Sequence, residues 1–160
     1  KGLVVPDIQY RRLEENREDL QKIVDFLIAT FGKEHEMGSL SASKFSFAKG
    51  LPFVVAAIEC GAWVAEDEGE IVGSVGLQIT SPWYTEAQYM GDLWTYVTPE
   101  YREHGVAGRL VELAKDHATE KSMPLMMGIF NNVDVDRKIK FFEKMGFRMV
   151  GAQFLRDKDQ

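Results

Sequence analysis

VTPEYREHGVAGRL, Val97 to Leu110, places two glycines where a helix begins. Before it runs YMGDLWTYV, Tyr89 to Val97, an aromatic-rich strand closed by Thr98 and Pro99. After it, Ala107, Leu110, Val111, Ala114 and Ala118 trace one helical face. Glycine inside a helix costs about 1 kcal/mol relative to alanine, so Gly105 and Gly108 need a compensating role. The first turn of a helix carries N–H groups without intrahelical partners, and the macrodipole adds partial positive charge there. A phosphate binds well at such a place if small side chains let it reach the backbone, and Gly105, Ala107 and Gly108 are small. Arg102 adds a charge-assisted contact. The plainer alternative is a tight turn with a glycine-lined helix contact. The stretch is neither GxxxxGK[ST] nor GxGxxG, which excludes the usual nucleotide-loop and dinucleotide fingerprints.

Downstream, Met123 and Pro124 break the chain before LMMGIF, Leu125 to Phe130, a short buried strand. Val135 to Met145 has helical spacing through Ile139 and Phe142, and Gly146 stops it. FRMVGAQFL, Phe147 to Leu155, reads as a final strand. Upstream, AWVAEDEGEIVGSVGLQI, Ala62 to Ile79, reads as an antiparallel hairpin turning at its acidic, glycine-containing centre. Leu51 to Cys60 reads as a helix starting at Pro52, and Gly38 to Gly50 as a polar loop with a short helix. Asn16 or Asp19 caps a helix whose apolar face runs Leu20, Ile23, Val24, Leu27, Ile28 and Phe31, ending at Gly32. Ile8 to Leu13 is a short strand. The interleaving of strands and helices predicts one α/β domain over 1–160.

The 160 residues suffice for a proper core, and no apolar run approaches the roughly 18 residues of a membrane span. A single cysteine, Cys60, excludes an internal disulfide and a cysteine-based zinc site, which makes the cytoplasm the expected compartment. Residues 1–100 carry 8 Lys/Arg against 16 Asp/Glu, and residues 101–160 carry 11 against 9. This asymmetry is either scatter over solvated faces, or an anion near the C-terminal part and a cationic partner near the acidic part. No basic patch or aromatic RNA-binding motif points to nucleic acid.

The pattern Val97-x-Pro99-x-Tyr101-Arg102-x-x-Gly105-x-Ala107 resembles the cofactor motif of the GNAT superfamily of acetyl-CoA-dependent N-acetyltransferases. FFEKMGF, Phe141 to Phe147, resembles that family's second motif, usually written with a tyrosine before E-K-x-G-F. The element order is similar too, so the resemblance covers nearly the whole chain, with the specific motifs in residues 93–147. It implies an α/β (α+β) fold with a mixed central sheet, antiparallel N-terminal strands and flanking helices. It also implies a V-shaped opening between splayed central strands, Leu93–Val97 and Leu125–Phe130. Acetyl-CoA would lie there, its pantetheine on main-chain groups around Tyr96 and Val97. Its pyrophosphate would rest on amides from Arg102 through Arg109, a run that includes His104, Val106 and Gly108. Asn131 is near where the family often holds the pantetheine arm, although the usual position, seven residues before the tyrosine, is Val135 here. Lys138 and Lys140 are available to nucleotide phosphates.

Acetyl transfer to an amine needs a deprotonated nucleophile, a polarised thioester and a fate for the leaving thiolate. The family's tyrosine position is Phe142, which has no proton to give. Asp92 is the candidate base, and strand alternation places Asp92, Trp94 and Tyr96 on one face. Its plainer reading is a strand-end residue in solvent. Glu59 and Glu86 are further carboxylates, more simply read as surface charge. Tyr84 positions substrate or donates a proton, and with Trp83, Tyr89, Trp94 and Tyr96 it forms either a pocket wall or ordinary packing. His35 and His117 lack metal-ligand spacing and are assigned to structure, so no metal is expected. The leading reading is an N-acetyltransferase acting on a primary amine, with a cationic acceptor favoured by the acidic N-terminal part. The alternatives are a non-catalytic acyl-CoA-binding module, favoured by Phe142, and a structural domain that binds no CoA. A homodimer is expected through the edge of the final strand.

Overall fold

The structure, a computed structural model, describes residues 5–31, 45–130, 133–156 and 158. Strands β2 (Ala62–Asp67) and β3 (Glu70–Thr80) form the expected hairpin. Its two-residue turn has Glu68 at φ 50° and Gly69 at φ 83°, a geometry whose twist matches paired strands. Strand β1 (Gln9–Arg12) adds antiparallel to β2, and β4 (Tyr89–Val97) antiparallel to β3. Strand β5 (Leu125–Met126) joins β4 in parallel, giving the order β1-β2-β3-β4-β5.

Helices α1 (Arg17–Phe31) and α2 (Phe47–Cys60) cover one face of the sheet. There Ile23, Val24, Leu27, Val54, Ala57 and Ile58 pack on Val64 and Trp94. Helix α3 (Val106–Glu120) covers the other face, where Val106, Leu110, Ala114 and Ala118 pack on Val75, Leu77, Met90 and Val97. Helix α4 (Val135–Lys144) follows β5 and buries none of its residues.

A charged cluster ties α1 to the sheet. Arg11 holds Asp19 through two bonds of 2.8 Å and donates Nε to Glu66 at 2.5 Å, and Lys22 reaches the other Glu66 oxygen at 2.7 Å. The Arg11 guanidinium holds the buried Asp19 carboxyl below its usual range. Burial by itself pushes Glu66 up, but Arg11 and Lys22 together bring it below its usual value.

Several expectations from the sequence need correction. Of the two caps expected for α1, Asn16 is the one that forms, its Oδ1 accepting the Asp19 N–H at 2.8 Å. Helix α2 begins at Phe47 rather than Pro52, because Ser46 Oγ accepts the Lys49 N–H at 3.3 Å and starts the helix upstream. The loop expected over Gly38 to Gly50, with His35 and Gly32 before it, falls largely outside the described residues. Strand β5 is two residues long instead of spanning Leu125 to Phe130, since its ladder with β4 stops at Met126. Residues 147–155 form no strand. Their apolar alternation supplies propensity, but a strand exists only with a ladder partner, and the segment has none among the described residues.

Candidate active site

Strand β4 organises the site. Its register against β3 pairs Gly76 with Trp94 but Leu77 with Asp92, leaving Leu93 as the extra residue of a β-bulge. The bulge resets the alternation, so Asp92, Trp94 and Tyr96 do not share a face as the sequence suggested. Met90 and Val97 sit in the core under α3, whereas Trp94 packs in the core with α1 and α2. Asp92 follows Met90 in phase and lies on the α3 side, where Thr95 Oγ1 donates to its Oδ2 at 2.8 Å. Trp94 is core: a Cβ on Gly76 would come within 2.3 Å of its ring. Its Nε1 donates to Ser74 Oγ at 2.9 Å, and that hydroxyl donates to the Trp63 carbonyl at 2.8 Å.

Strands β4 and β5 pair only at Met90 with Leu125 and Gly91 with Met126, and then part. Asp92 is the next residue, at the crotch of the fork. Its Oδ1 accepts the Gly128 N–H at 3.1 Å, replacing a ladder bond that the parting strands no longer make. The residue is only 7% exposed. Burial pushes its carboxyl up to about 6, against the Thr95 and Gly128 hydrogen bonds, which pull it down. A carboxyl poised between acid and base near neutral pH, at the mouth of a fork, is a candidate proton acceptor.

The C-terminal end of β4 leads to the glycine stretch. A single 3-10 turn, Pro99–Tyr101, is fastened to the end of β2 by a hydrogen bond from the Tyr101 hydroxyl to Asp67. Arg102 Nε donates to the Val97 carbonyl at 2.9 Å, and its guanidinium lies over the Tyr96 ring at 5.3 Å. Phe26 of α1 meets the same ring edge-on at 6.0 Å. Gly105, at φ 71°, is the N-cap of α3 and supplies no side-chain cap. The bond from Arg109 N–H to the Gly105 carbonyl, 3.1 Å, begins the helical ladder, which leaves the Val106, Ala107 and Gly108 amides at the open end.

The two glycines have different reasons. Gly105 holds a left-handed conformation that side-chain-bearing residues adopt only at a cost. Gly108 is in the helix, and a Cβ there would meet nothing within 4 Å. Packing inside the protein does not require glycine at that position, and the space above the first turn is open. Free amides, a dipole end, and the exposed cations Arg102 and Arg109 fit the diphosphate of coenzyme A. His104 is exposed, its ring edge-on to Tyr101 at 6.3 Å. Asn131 lies outside the described residues.

At the opposite end of β4, Trp83 and Tyr84 stand exposed on the β3–β4 loop, ring to ring at 5.6 Å. Tyr89 pairs with Thr80 where that loop joins the sheet, about 10 Å along the strand from Asp92 at ~3.3 Å per residue. Asp92 thus lies between an aromatic loop and the helix end that suits phosphate. Phe142 is half-buried between Phe141 and Phe147, at 5.3 and 5.5 Å. Glu86 is exposed on the loop. Glu59 faces a recess between α1 and α2, on the side of the sheet away from Asp92. His117 is buried, its Nε2 bonded to the Cys60 carbonyl at 2.7 Å, a structural role. The bulge, Thr95 and the Gly128 amide were missed from sequence, and no residue pattern announces them. Among the described residues no cluster of three or more His, Cys, Asp or Glu is placed to hold a metal, and no helix is long and apolar enough to cross a membrane.

Residues 59–149 match the Acetyltransferase (GNAT) domain. The chain therefore belongs to the GNAT acetyltransferase family, whose members use acetyl-CoA. No curated protein matches the sequence. An aminoglycoside acetyltransferase, meta-AAC0020, from an uncultured soil metagenomic sample superposes with a TM-score of 0.69 at 19% identity, over 94% of this chain and 95% of that one. Glucosamine-6-phosphate N-acetyltransferase from Arabidopsis thaliana gives 0.65 at 16% identity, over 96% and 99%. AAC(6')-Iy, solved with the bisubstrate analogue CoA-S-monomethyl-acetylneamine, gives 0.63 at 14% identity, over 95% and 98%.

Proposed function

We propose that this protein transfers the acetyl group of acetyl-CoA to a primary amine of a cationic acceptor, with Asp92 as the proton acceptor. One observation carries the reading: Asp92 is buried at the β4–β5 fork, between the Trp83–Tyr84 loop and the open first turn of α3. Acetyl-CoA would supply the activated thioester, and the Val106 to Gly108 amides with Arg102 and Arg109 would hold its diphosphate. As the amine nitrogen bonds to the acetyl carbon it becomes strongly acidic, so a carboxylate with a pKa of about 6 suffices to take its proton. Above neutral pH the group is ionised and ready. Phe142 gives no proton to the departing sulfur. A thiol with an ordinary pKa of about 8.5 leaves as thiolate and is protonated by water.

The surplus of acid in residues 1–100 favours a cationic acceptor, an amino sugar, a polyamine or an amine of a protein. Amino sugars come first in a screen, because two proteins that share the fold are named for acting on them. Phe142 favours the second reading, a module that binds acetyl-CoA without turning it over. The test is calorimetric titration with acetyl-CoA beside a Gly108→Glu variant, followed by thiol release from acetyl-CoA across a panel of amines. Wild-type binding that the glutamate abolishes, with amine-dependent thiol release lost in Asp92→Asn, meets the proposal. Binding without release for any amine selects the second reading. No binding by the wild type rejects both.

A further inference from the structure

Residues 98–105 carry the chain from β4 to the open first turn of α3, and their own backbone holds that path weakly. One 3-10 turn, Pro99–Tyr101, occupies it. The bonds that follow are long, since the Arg102 N–H reaches the Pro99 carbonyl and the His104 N–H the Tyr101 carbonyl at 3.3 Å each. The two ends are firm. Thr98 donates its N–H and its hydroxyl to the Val72 carbonyl of β3, at 2.9 and 3.2 Å, and Val106 is fully buried under α3. Between these ends, Arg102 binds back to the strand it follows, whereas Tyr101 crosses to a different one. Its ring packs against the α3-side core, and its hydroxyl donates to the Asp67 carboxylate.

Asp67 ends β2 and pairs with Glu70 across the Glu68–Gly69 turn, whose type and length fix the register of the hairpin. Its position is therefore set before the loop is laid against it. Among the described residues no cation forms an ion pair with Asp67. The bond to Asp67 is also the main reason that the Tyr101 phenol holds its proton above its usual range, so it stays a donor at neutral pH.

We propose that Asp67 is a positioning residue for the cofactor. Through Tyr101, the tip of the β2–β3 hairpin fixes the turn from which Arg102 and the α3 amides meet the diphosphate. The inference rests on the acetyl-CoA reading above. A seat that is ordered only part of the time binds with an affinity reduced by the ordered fraction. Losing one net hydrogen bond from the ordered state should then weaken acetyl-CoA about fivefold. Charge by itself predicts the opposite sign. A carboxylate one side chain away from the seat repels a diphosphate, so removing its charge should tighten binding. Asp67→Asn removes the charge but keeps an oxygen that accepts from Tyr101. Asp67→Ala removes both.

The test is calorimetric titration with acetyl-CoA of the wild type, Asp67→Ala, Asp67→Asn, Tyr101→Phe and the Asp67→Ala/Tyr101→Phe double variant. Amide exchange over residues 98–105, followed by mass spectrometry in the free proteins, runs beside it. Asp67→Ala and Tyr101→Phe should each weaken acetyl-CoA about fivefold and speed exchange in this segment, and the double variant should be no worse than either. Asp67→Asn should bind at least as tightly as the wild type and exchange like it. If Asp67→Ala fails to fold, Tyr101→Phe, which keeps the packed ring, decides together with Asp67→Asn. Losses that add in the double variant would overturn the proposal, as would an Asp67→Ala protein that binds more tightly than the wild type. Wild-type binding that ignores both single substitutions overturns this proposal alone. A wild type that binds no acetyl-CoA overturns it together with the reading beneath it.

Discussion

Replacing Asp92 with asparagine separates the burial of its charge from every other feature of the site. The folded protein raises this carboxyl from 3.8 to about 6. Between those values the unfolded chain has released the proton and the folded chain still holds it, so the wild type loses stability as pH rises through that window. The loss integrates to about 3 kcal/mol at 1.36 kcal/mol per unit, and is complete just above the folded pKa. Asparagine cannot ionise. Whatever fixed offset arises from its altered bonds to Thr95 and Gly128 is the same at every pH. Asp19 and Glu66, shifted the opposite way, occur in both proteins and cancel in the difference. Urea unfolding followed by tryptophan fluorescence at several pH values between about 4 and 7.5 should show the variant gaining about 2.4 kcal/mol on the wild type across the range, the rest of the loss falling below pH 4. A difference that stays constant with pH would refute the reasoning, because it would mean that water reaches Asp92 as freely in the folded state as in the unfolded one.

Thr95→Val removes a hydrogen bond that lowers the Asp92 pKa, so the acid limb of the kcat/KM profile should move to higher pH, with a stability loss of about 1 kcal/mol in urea. Thr95→Ser should restore the wild-type profile. Gly108→Ala fills open space inside a helix, so it should stabilise the free protein by about 0.5–1 kcal/mol in thermal unfolding yet weaken acetyl-CoA in calorimetry. Arg11→Ala leaves the Asp19 and Glu66 carboxylates buried without their main partner. Urea unfolding near pH 7 should show a loss of about 2–4 kcal/mol, less than for a deep pair because the Arg11 side chain is 36% exposed. That loss should shrink as pH falls through the carboxylate range, since the stability that the lowered pKa values supply is present only above it.

Much of the molecule is legible in one dimension because its causes are local. The Glu68–Gly69 hairpin, the α1 and α3 faces, and the strand–turn–helix around Gly105 follow from periodicity, turn chemistry and capping. The position of Asp92 on β4 was visible as well, along with the acidic character that made it a candidate. Its surroundings were not. A bulge at Leu93 depends on how β4 pairs with β3, and the turn it gives to Asp92 and Thr95 exists only once both strands are in place. The same is true of Phe147 to Leu155, whose alternation promises a strand that its own chain does not pair. Sequence by itself determined the family, the element order as far as α4 and the glycine stretch, because backbone preference and side-chain pattern act over a few residues. Only the tertiary structure decided which face Asp92 occupies, why its carboxyl is poised near 6, and that Gly108 opens onto free space while Gly105 answers to backbone conformation. Burial, register and empty volume are properties of residues far apart in the chain, and no local rule contains them.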